Sequence, residues 1–235
     1  MYELGARLGR GYRAEVFRAV DRRDGSAWAL KLFAADEAGR TAARFEAEAL
    51  RALAHPRLPA FHDALEVDGR PAVAMAVVAG PDLRTEVERG GGLPVPSALR
   101  MGTELCDLLV HVGARGWTLR DLHPRNVHRL TPGGTMALDL DGARPEGWPA
   151  EGGGRVMYRA PELLQGPVTP ACDVYSLAGC LYFALAADDP PRASGPLEWP
   201  GLASALAAAL NRCRSQIPPE RPAAEAVAEA LRRFV

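Results

Sequence analysis

Alternation governs the first third of the chain. Between residues 2 and 33, Leu4, Leu8, Val16, Phe17, Val20, Trp28, Leu30 and Leu32 recur among polar neighbours and glycine turns, which predicts short antiparallel strands. Asp24-Gly25 sits between two of these runs and reads as a hairpin turn. Asp68-Gly69 does the same between strands over 61–67 and 71–78. From Thr41 to Leu53 the period changes: Phe45, Ala49, Leu50 and Leu53 share one face, which predicts a helix closed by Pro56. Beyond Gly80-Pro81 helical spacing takes over, at 97–115, 171–187, 201–213 and 222–234. Gly90-Gly91-Gly92 reads as a turn, because no strand precedes it. The order predicts an α+β fold in one domain, 1–235, with a small antiparallel β lobe and its one main helix (1–79) ahead of a larger, mainly α lobe (80–235).

Composition narrows the function classes. With 235 residues, 48% of them hydrophobic, the chain can bury a core in one domain or two small lobes. A net charge of −1 argues against nucleic acid as the partner. No apolar run approaches the roughly 20 residues needed to span a bilayer, and Met1–Gly5 lacks the basic-then-apolar order of a signal peptide. Cys106, Cys172, Cys180 and Cys213 are widely spaced, without a Cys-x-x-Cys pair, so reduced thiols and no zinc site are expected. These features together predict a cytoplasmic protein.

The candidate chemistry begins at Leu119-Arg120-Asp121-Leu122-His123-Pro124-Arg125-Asn126, which sets an Asp and an Asn five residues apart in apolar surroundings. Thirteen residues after Asn126, Asp139 follows an apolar run in Ala137-Leu138-Asp139-Leu140-Asp141-Gly142. Taken alone, either segment is a capped turn. Phosphoryl transfer, however, needs a carboxylate to orient an acceptor hydroxyl and oxygen ligands for a divalent cation beside it. Near the N-terminus, Leu8-Gly9-Arg10-Gly11 precedes Val16, and glycines at 9 and 11 let backbone approach phosphate closely. Fifteen residues after Val16, Lys31 stands between Leu30 and Leu32 in Trp28-Ala29-Leu30-Lys31.

These motifs, in this order, resemble the protein kinase superfamily, and specifically the eukaryotic-type serine/threonine protein kinases of bacteria, over about residues 4–234. The resemblance implies a bilobal kinase fold that uses ATP with Mg²⁺ or Mn²⁺ and acts on a protein substrate. It implies catalytic roles for Asp121, Lys31, Glu46 and His123, with Asn126 and Asp139 as metal ligands. Glu46, nine residues before the His55-Pro56 pair, is preferred to Glu48 as the partner of Lys31. Leu8, Gly9, Gly11, Val16, Ala29 and Lys31 would line the nucleotide from above. Met75 would be the gatekeeper, the backbone of Ala76 and Val78 would meet adenine, Asp82 would reach ribose and His128 would lie under the base. Tyr158-Arg159-Ala160-Pro161-Glu162, Asp173 and Arg221 match later motifs, with Arg221 paired to Glu162.

The departures keep other readings open. Asp139-Leu140-Asp141 replaces Asp-Phe-Gly; spacing and the following Ala143-Arg144 favour Asp139, while an alternative register pairs Asp141 with Gly142. Ala14 replaces a glycine. Leu119 replaces a histidine, and the column it would join (Leu50, Phe61, Leu140, Leu119) is then wholly apolar. His123 replaces a lysine and is expected to act cationically beside phosphate and Asp121. It also brings the loop nearer to small-molecule kinases related to aminoglycoside phosphotransferases. Arg155 stands where threonine is usual, and with Arg159 reads either as a binder of acidic or phosphorylated acceptors or as a solvated charge. Between Asp139 and Ala160 only Tyr158 carries a hydroxyl, so that segment is expected to be ordered constitutively or by a regulatory partner protein. A nucleotide-binding scaffold without transfer activity remains the third reading.

Overall fold

The computed structural model describes residues 2–11, 13–131, 133–151, 155–191 and 195–234; Tyr12, within the glycine segment, lies outside them. The chain opens with β1 (Tyr2–Arg10), β2 (Ala14–Asp21) and β3 (Ala27–Phe33), crosses α1 (Glu37–Ala52), and returns through β4 (Phe61–Val67) and β5 (Arg70–Met75). The five strands form one antiparallel sheet in the order β1-β2-β3-β5-β4, which puts β3 at its centre. Both Asp-Gly hairpins form where the sequence places them.

α1 begins four residues earlier than its apolar period suggests. Asp36 caps it by accepting the Gly39 N–H at 2.7 Å, and a first turn of Glu37, Ala38, Gly39 and Arg40 offers little apolar signal. β5 ends at Met75 rather than Val78 because the next amide turns away: the Ala76 N–H donates to Ala60 O at 2.9 Å. Gly80 then runs against the second half of the molecule. Its φ is +124°, and a Cβ there would lie 2.0 Å from Arg129 O, so only glycine passes.

The second half is helical. α2 (Leu83–Gly90), not anticipated from sequence, buries only Leu83 and Val87, too short a stripe to show a period. Its cap is Asp82, whose carboxylate accepts the Thr85 N–H at 2.9 Å and the Thr85 hydroxyl at 2.8 Å. α3 (Val95–Gly113) is followed by two short strand pairs, β6 (Trp117–Thr118) with β9 (Arg144–Pro145) and β7 (Val127–Arg129) with β8 (Thr135–Ala137). At two or three residues each they carry no readable alternation, yet they hold the loops that bear Asp121 and Asp139. α4 (Ala171–Ala186) is buried on nearly every side; α5 (Ser204–Cys213) and α6 (Ala224–Arg232) complete the bilobal α+β arrangement.

One apolar cluster joins the two halves. Leu50, Leu119 and Leu140 are 2%, 6% and 2% exposed within it, and Phe61 packs against it, so the residues of the expected apolar column share one buried cluster.

Candidate active site

Lys31 lies on the central strand, paired across to Val16 on β2 and Val73 on β5, which fixes its height in the sheet. Its ammonium bonds the Glu46 carboxylate from α1 and Asp139 Oδ1 at 2.7 Å; Asp141 Oδ2 is farther, at 4.0 Å. The second Glu46 oxygen accepts the Leu140 N–H at 3.4 Å, so one glutamate ties β3 to the Asp139 segment. Glu46 is 1% exposed whereas Glu48 faces solvent, which selects the register preferred from sequence. The shorter contact and the burial of Leu140 likewise select Asp139 over Asp141 as the residue facing Lys31.

Asp121 is delivered by a strained turn. Arg120 has φ +67°, a conformation costing on the order of 1–3 kcal/mol for a non-glycine residue. The turn is held by Asp173, at the start of α4, whose carboxylate accepts the Leu119 N–H at 2.7 Å and the Arg120 N–H at 2.8 Å. Asn126 Nδ2 donates to Asp121 O at 3.0 Å, which leaves Oδ1 as the acceptor atom of that side chain. Gly142 passes so close that a Cβ would sit 3.3 Å from Asp121 Cβ, bringing the two loops together.

Charge in this cleft is unbalanced. Glu46, Asp139 and Asp141 gather around the single ammonium of Lys31, and Asp121 lies within electrostatic reach of Asp139 and Asp141. Burial works against the charge of Lys31, but the carboxylates of Asp139, Glu46 and Asp141 hold its pKa well above normal. Desolvation opposes ionisation at Asp139 too, yet Lys31 keeps it low. The others go up. Burial, then Asp139 and Asp141, raise Asp121 to about 7; burial raises Glu46 to about 7; burial, then Asp139, raise Asp141. Among the described residues no three His, Cys, Asp or Glu side chains form a ready-made metal cage. The excess of carboxylate, with an amide oxygen at hand, nonetheless fits a divalent cation that completes its coordination from phosphate and water.

A pH dependence follows. Asp121 and Glu46, ordinarily at 3.8 and 4.5, are both near 7 in the fold, and burial lifts Asp173 to about 6. At these three carboxyls the folded state therefore holds protons that the unfolded chain has released, so their contribution to stability falls as pH rises from about 4 to about 7, opposed in part by the lowered pKa of His123. Urea midpoints without nucleotide or metal are expected to be higher at pH 6 than at pH 8.

His123 differs from expectation. It is 6% exposed, and burial, then the charge of Arg155, pushes its pKa down to about 4, so the ligand-free imidazole is neutral rather than cationic. Its Nδ1 accepts the Arg125 N–H at 3.2 Å, which puts the ring proton on Nε2, 3.6 Å from Asp121 Oδ1.

The residues expected to line a nucleotide lie on or beside the strands of the first sheet. Met75 pairs with Ala29 across β3 and β5, and both are buried. Val16 packs on the main cluster, while Leu8 is exposed at the end of β1. Added Cβ atoms at Gly9 and Gly11 would meet no close contact within the chain, so packing does not demand glycine at either position and the space is open to a ligand. The structure adds detail at two of the expected positions. The Ala76 N–H is already spent on Ala60 O, so only its carbonyl is available. Both oxygens of Asp82 are engaged in capping α2, which is the role the structure shows for it. Val78 lies in the linker after β5, and His128, on β7, contacts Gly80 O at 3.3 Å through Nδ1, beside that linker. Arg13 and Arg125, not singled out from sequence, are exposed and act electrostatically on Asp121 and His123 respectively. Only the position of Arg125 inside the Asp121–Asn126 loop could have signalled this.

Farther along, Arg221 makes two bonds to Glu162, at 2.5 and 2.9 Å, and a third to Ala171 O at 2.9 Å, joining the segment end to α4 as the motifs imply.

The protein kinase domain model matches residues 2–199. The serine/threonine-protein kinase PkaA of Streptomyces coelicolor is 31% identical over 98% of this chain and 49% of its own. A probable serine/threonine-protein kinase of Corynebacterium efficiens is 32% identical over 81% of this chain and 31% of its own. The serine/threonine-protein kinase PknD of Mycobacterium tuberculosis is 30% identical over 82% and 30%. This chain thus spans about a third to a half of the length of these curated relatives. The match across most of the chain agrees with the joined Lys31, Glu46 and Asp139 and with the Asp121 loop beside them: the chain belongs to the protein kinase family.

Proposed function

We propose that the chain is an active ATP-dependent protein kinase of the serine/threonine type. The observation that carries this reading is the bonding of Lys31 to both Glu46 and Asp139, with Asp121 in the adjoining loop. Bound Mg-ATP, or its Mn²⁺ form, supplies the phosphoryl group and the cation charge that the cleft lacks. Lys31, held by Glu46, orients the α- and β-phosphates, and Asn126 Oδ1 and Asp139 hold the metal. Asp121 accepts the acceptor hydroxyl's proton while positioning its oxygen. His123 contributes a neutral Nε2–H donor rather than a fixed charge. Leu8, Gly9, Gly11, Val16, Ala29, Met75, the Ala76 carbonyl, Val78 and His128 enclose the nucleotide. Catalysis is then chiefly positioning and charge stabilisation.

The relatives' names support a protein acceptor over a small molecule, and the joined Lys31, Glu46 and Asp139 beside the Asp121 loop support turnover over a scaffold role. Four buried free thiols, and no described helix long and apolar enough to cross a membrane, support a cytoplasmic setting. The acceptor class is tested by incubating the chain with labelled Mg-ATP, casein-type proteins and a panel of small polyols and aminoglycosides. Label recovered as phosphoserine or phosphothreonine supports the reading, and label confined to a small molecule overturns it.

Arg155 is exposed, and its charge reaches both Asp121 and His123. We infer an acceptor with an acidic or phosphorylated side chain near its hydroxyl. Arg155→Glu is expected to raise KM about tenfold for an acidic peptide, the loss of one charge-assisted contact, without raising it for a neutral one.

A further inference from the structure

Protein kinases commonly order the segment after the metal-binding Asp by adding a phosphate that pairs with arginine. In this chain the segment from Asp139 to Ala160 has no serine or threonine, and Tyr158 is 2% exposed with its hydroxyl given to Asp189. Two of the arginines nearby, Arg120 and Arg144, are already engaged. Arg120, beside the catalytic Asp121, donates to Thr118 Oγ1, Pro149 O and Trp148 O, each at 2.9 Å. Arg144 donates to Asp141 O at 2.7 Å and Ala143 O at 2.9 Å, and pairs with Glu151 at 3.0 Å.

The same stretch reaches α1. The Trp148 indole N–H donates to the other Glu151 oxygen at 2.7 Å, which fixes the ring. That ring meets Phe45 edge to face, with centroids 5.2 Å apart and planes at 78°. The Arg144 guanidinium lies 3.8 Å from the centroid of the same Phe45 ring. Phe45 is the residue before Glu46, so any rotation of α1 that withdraws Glu46 from Lys31 must break both contacts. Trp148 is 36% exposed, more than its packing alone would require of a core residue.

We propose that Trp148, braced by Glu151 and Arg144, is a positioning residue that acts through Phe45 to keep Glu46 on Lys31, so that the segment holds the active arrangement with neither a phosphate nor a partner protein. The contact is built entirely from side chains and carbonyls of this chain. The inference rests on the kinase reading above.

The test compares wild type, Trp148→Ala, Trp148→Phe, Glu46→Gln and the double variant Trp148→Ala/Glu46→Gln, all as the full chain after phosphatase treatment. Treated wild type should keep its activity. Trp148→Ala should lower kcat about tenfold, the upper end of the scale of one aromatic pair, and Trp148→Phe should recover most of it. The double variant should be about as slow as Glu46→Gln alone, because both changes act through one ion pair. A merely structural tryptophan would instead give losses that multiply. Multiplying losses, a Trp148→Ala variant with wild-type kcat, or a wild type inactivated by phosphatase would each overturn the proposal. If wild type transfers no phosphate at all, the kinase reading fails by itself, and hydrogen exchange decides the brace separately. Faster exchange across residues 45–50 of α1 in Trp148→Ala upholds it, and unchanged exchange overturns it.

Discussion

Asp121→Asn should leave a chain that binds Mg-ATP with near wild-type affinity and transfers phosphate about a thousandfold more slowly, the scale of losing a positioned general base. Asparagine keeps the size of the side chain, and the bond from Asn126 goes to the backbone carbonyl of residue 121, so the loop keeps its shape. The Asp173 clamp on Leu119 and Arg120 is also independent of the substituted group. What is lost is the acceptor for the hydroxyl proton. Nucleotide affinity has no reason to fall, because the change removes one negative charge from a cleft that already holds too many. Paired measurement of kcat and nucleotide Kd checks this; turnover within tenfold of wild type would remove Asp121 from the mechanism.

Lys31→Met should damage both activity and stability, and the second effect should depend on pH. Glu46 is 1% exposed and would remain buried without its cation, a loss of about 3 kcal/mol when one partner of a buried ion pair is removed. Glu46 is already raised to about 7 by burial, with Lys31 as the main opposing influence. Without Lys31 its folded pKa rises further above the unfolded value. The variant's deficit is then largest above that raised pKa and shrinks as pH falls toward the ordinary carboxylate range, where Glu46 is protonated in both states. Urea unfolding of both proteins at pH 8 and pH 5.5 reads this directly. A deficit equal at both pH values would mean that Glu46 does not depend on Lys31 for its charge.

Much of this site was legible in the sequence because it is carried by spacing. The interval from Glu46 to His55-Pro56 selected the glutamate that bonds Lys31, and the interval from Asn126 to Asp139 selected the aspartate that does. The sheet, both Asp-Gly hairpins and the long helices were likewise written as periods and turn residues. What stayed hidden depends on tertiary surroundings. The neutrality of His123 follows from burial and from Arg155, thirty-two residues away in sequence. The commitment of the Ala76 N–H depends on Ala60, and that of Asp82 on α2, whose two buried residues left no stripe to read. Trp148 is one aromatic residue in a glycine- and proline-rich stretch with no period, and its meaning appears only when α1 is folded against it.

Phosphate transfer from ATP to protein is the activity we propose for the assembled cleft. It is tested most directly by γ-labelled phosphate transfer from Mg-ATP to a generic protein acceptor by the purified chain, with Lys31→Met and Asp121→Asn as blanks. Wild type should label protein serine or threonine, and either variant should stay at background. Nucleotide bound by wild type without any transfer, or label that persists in Asp121→Asn, would contradict it.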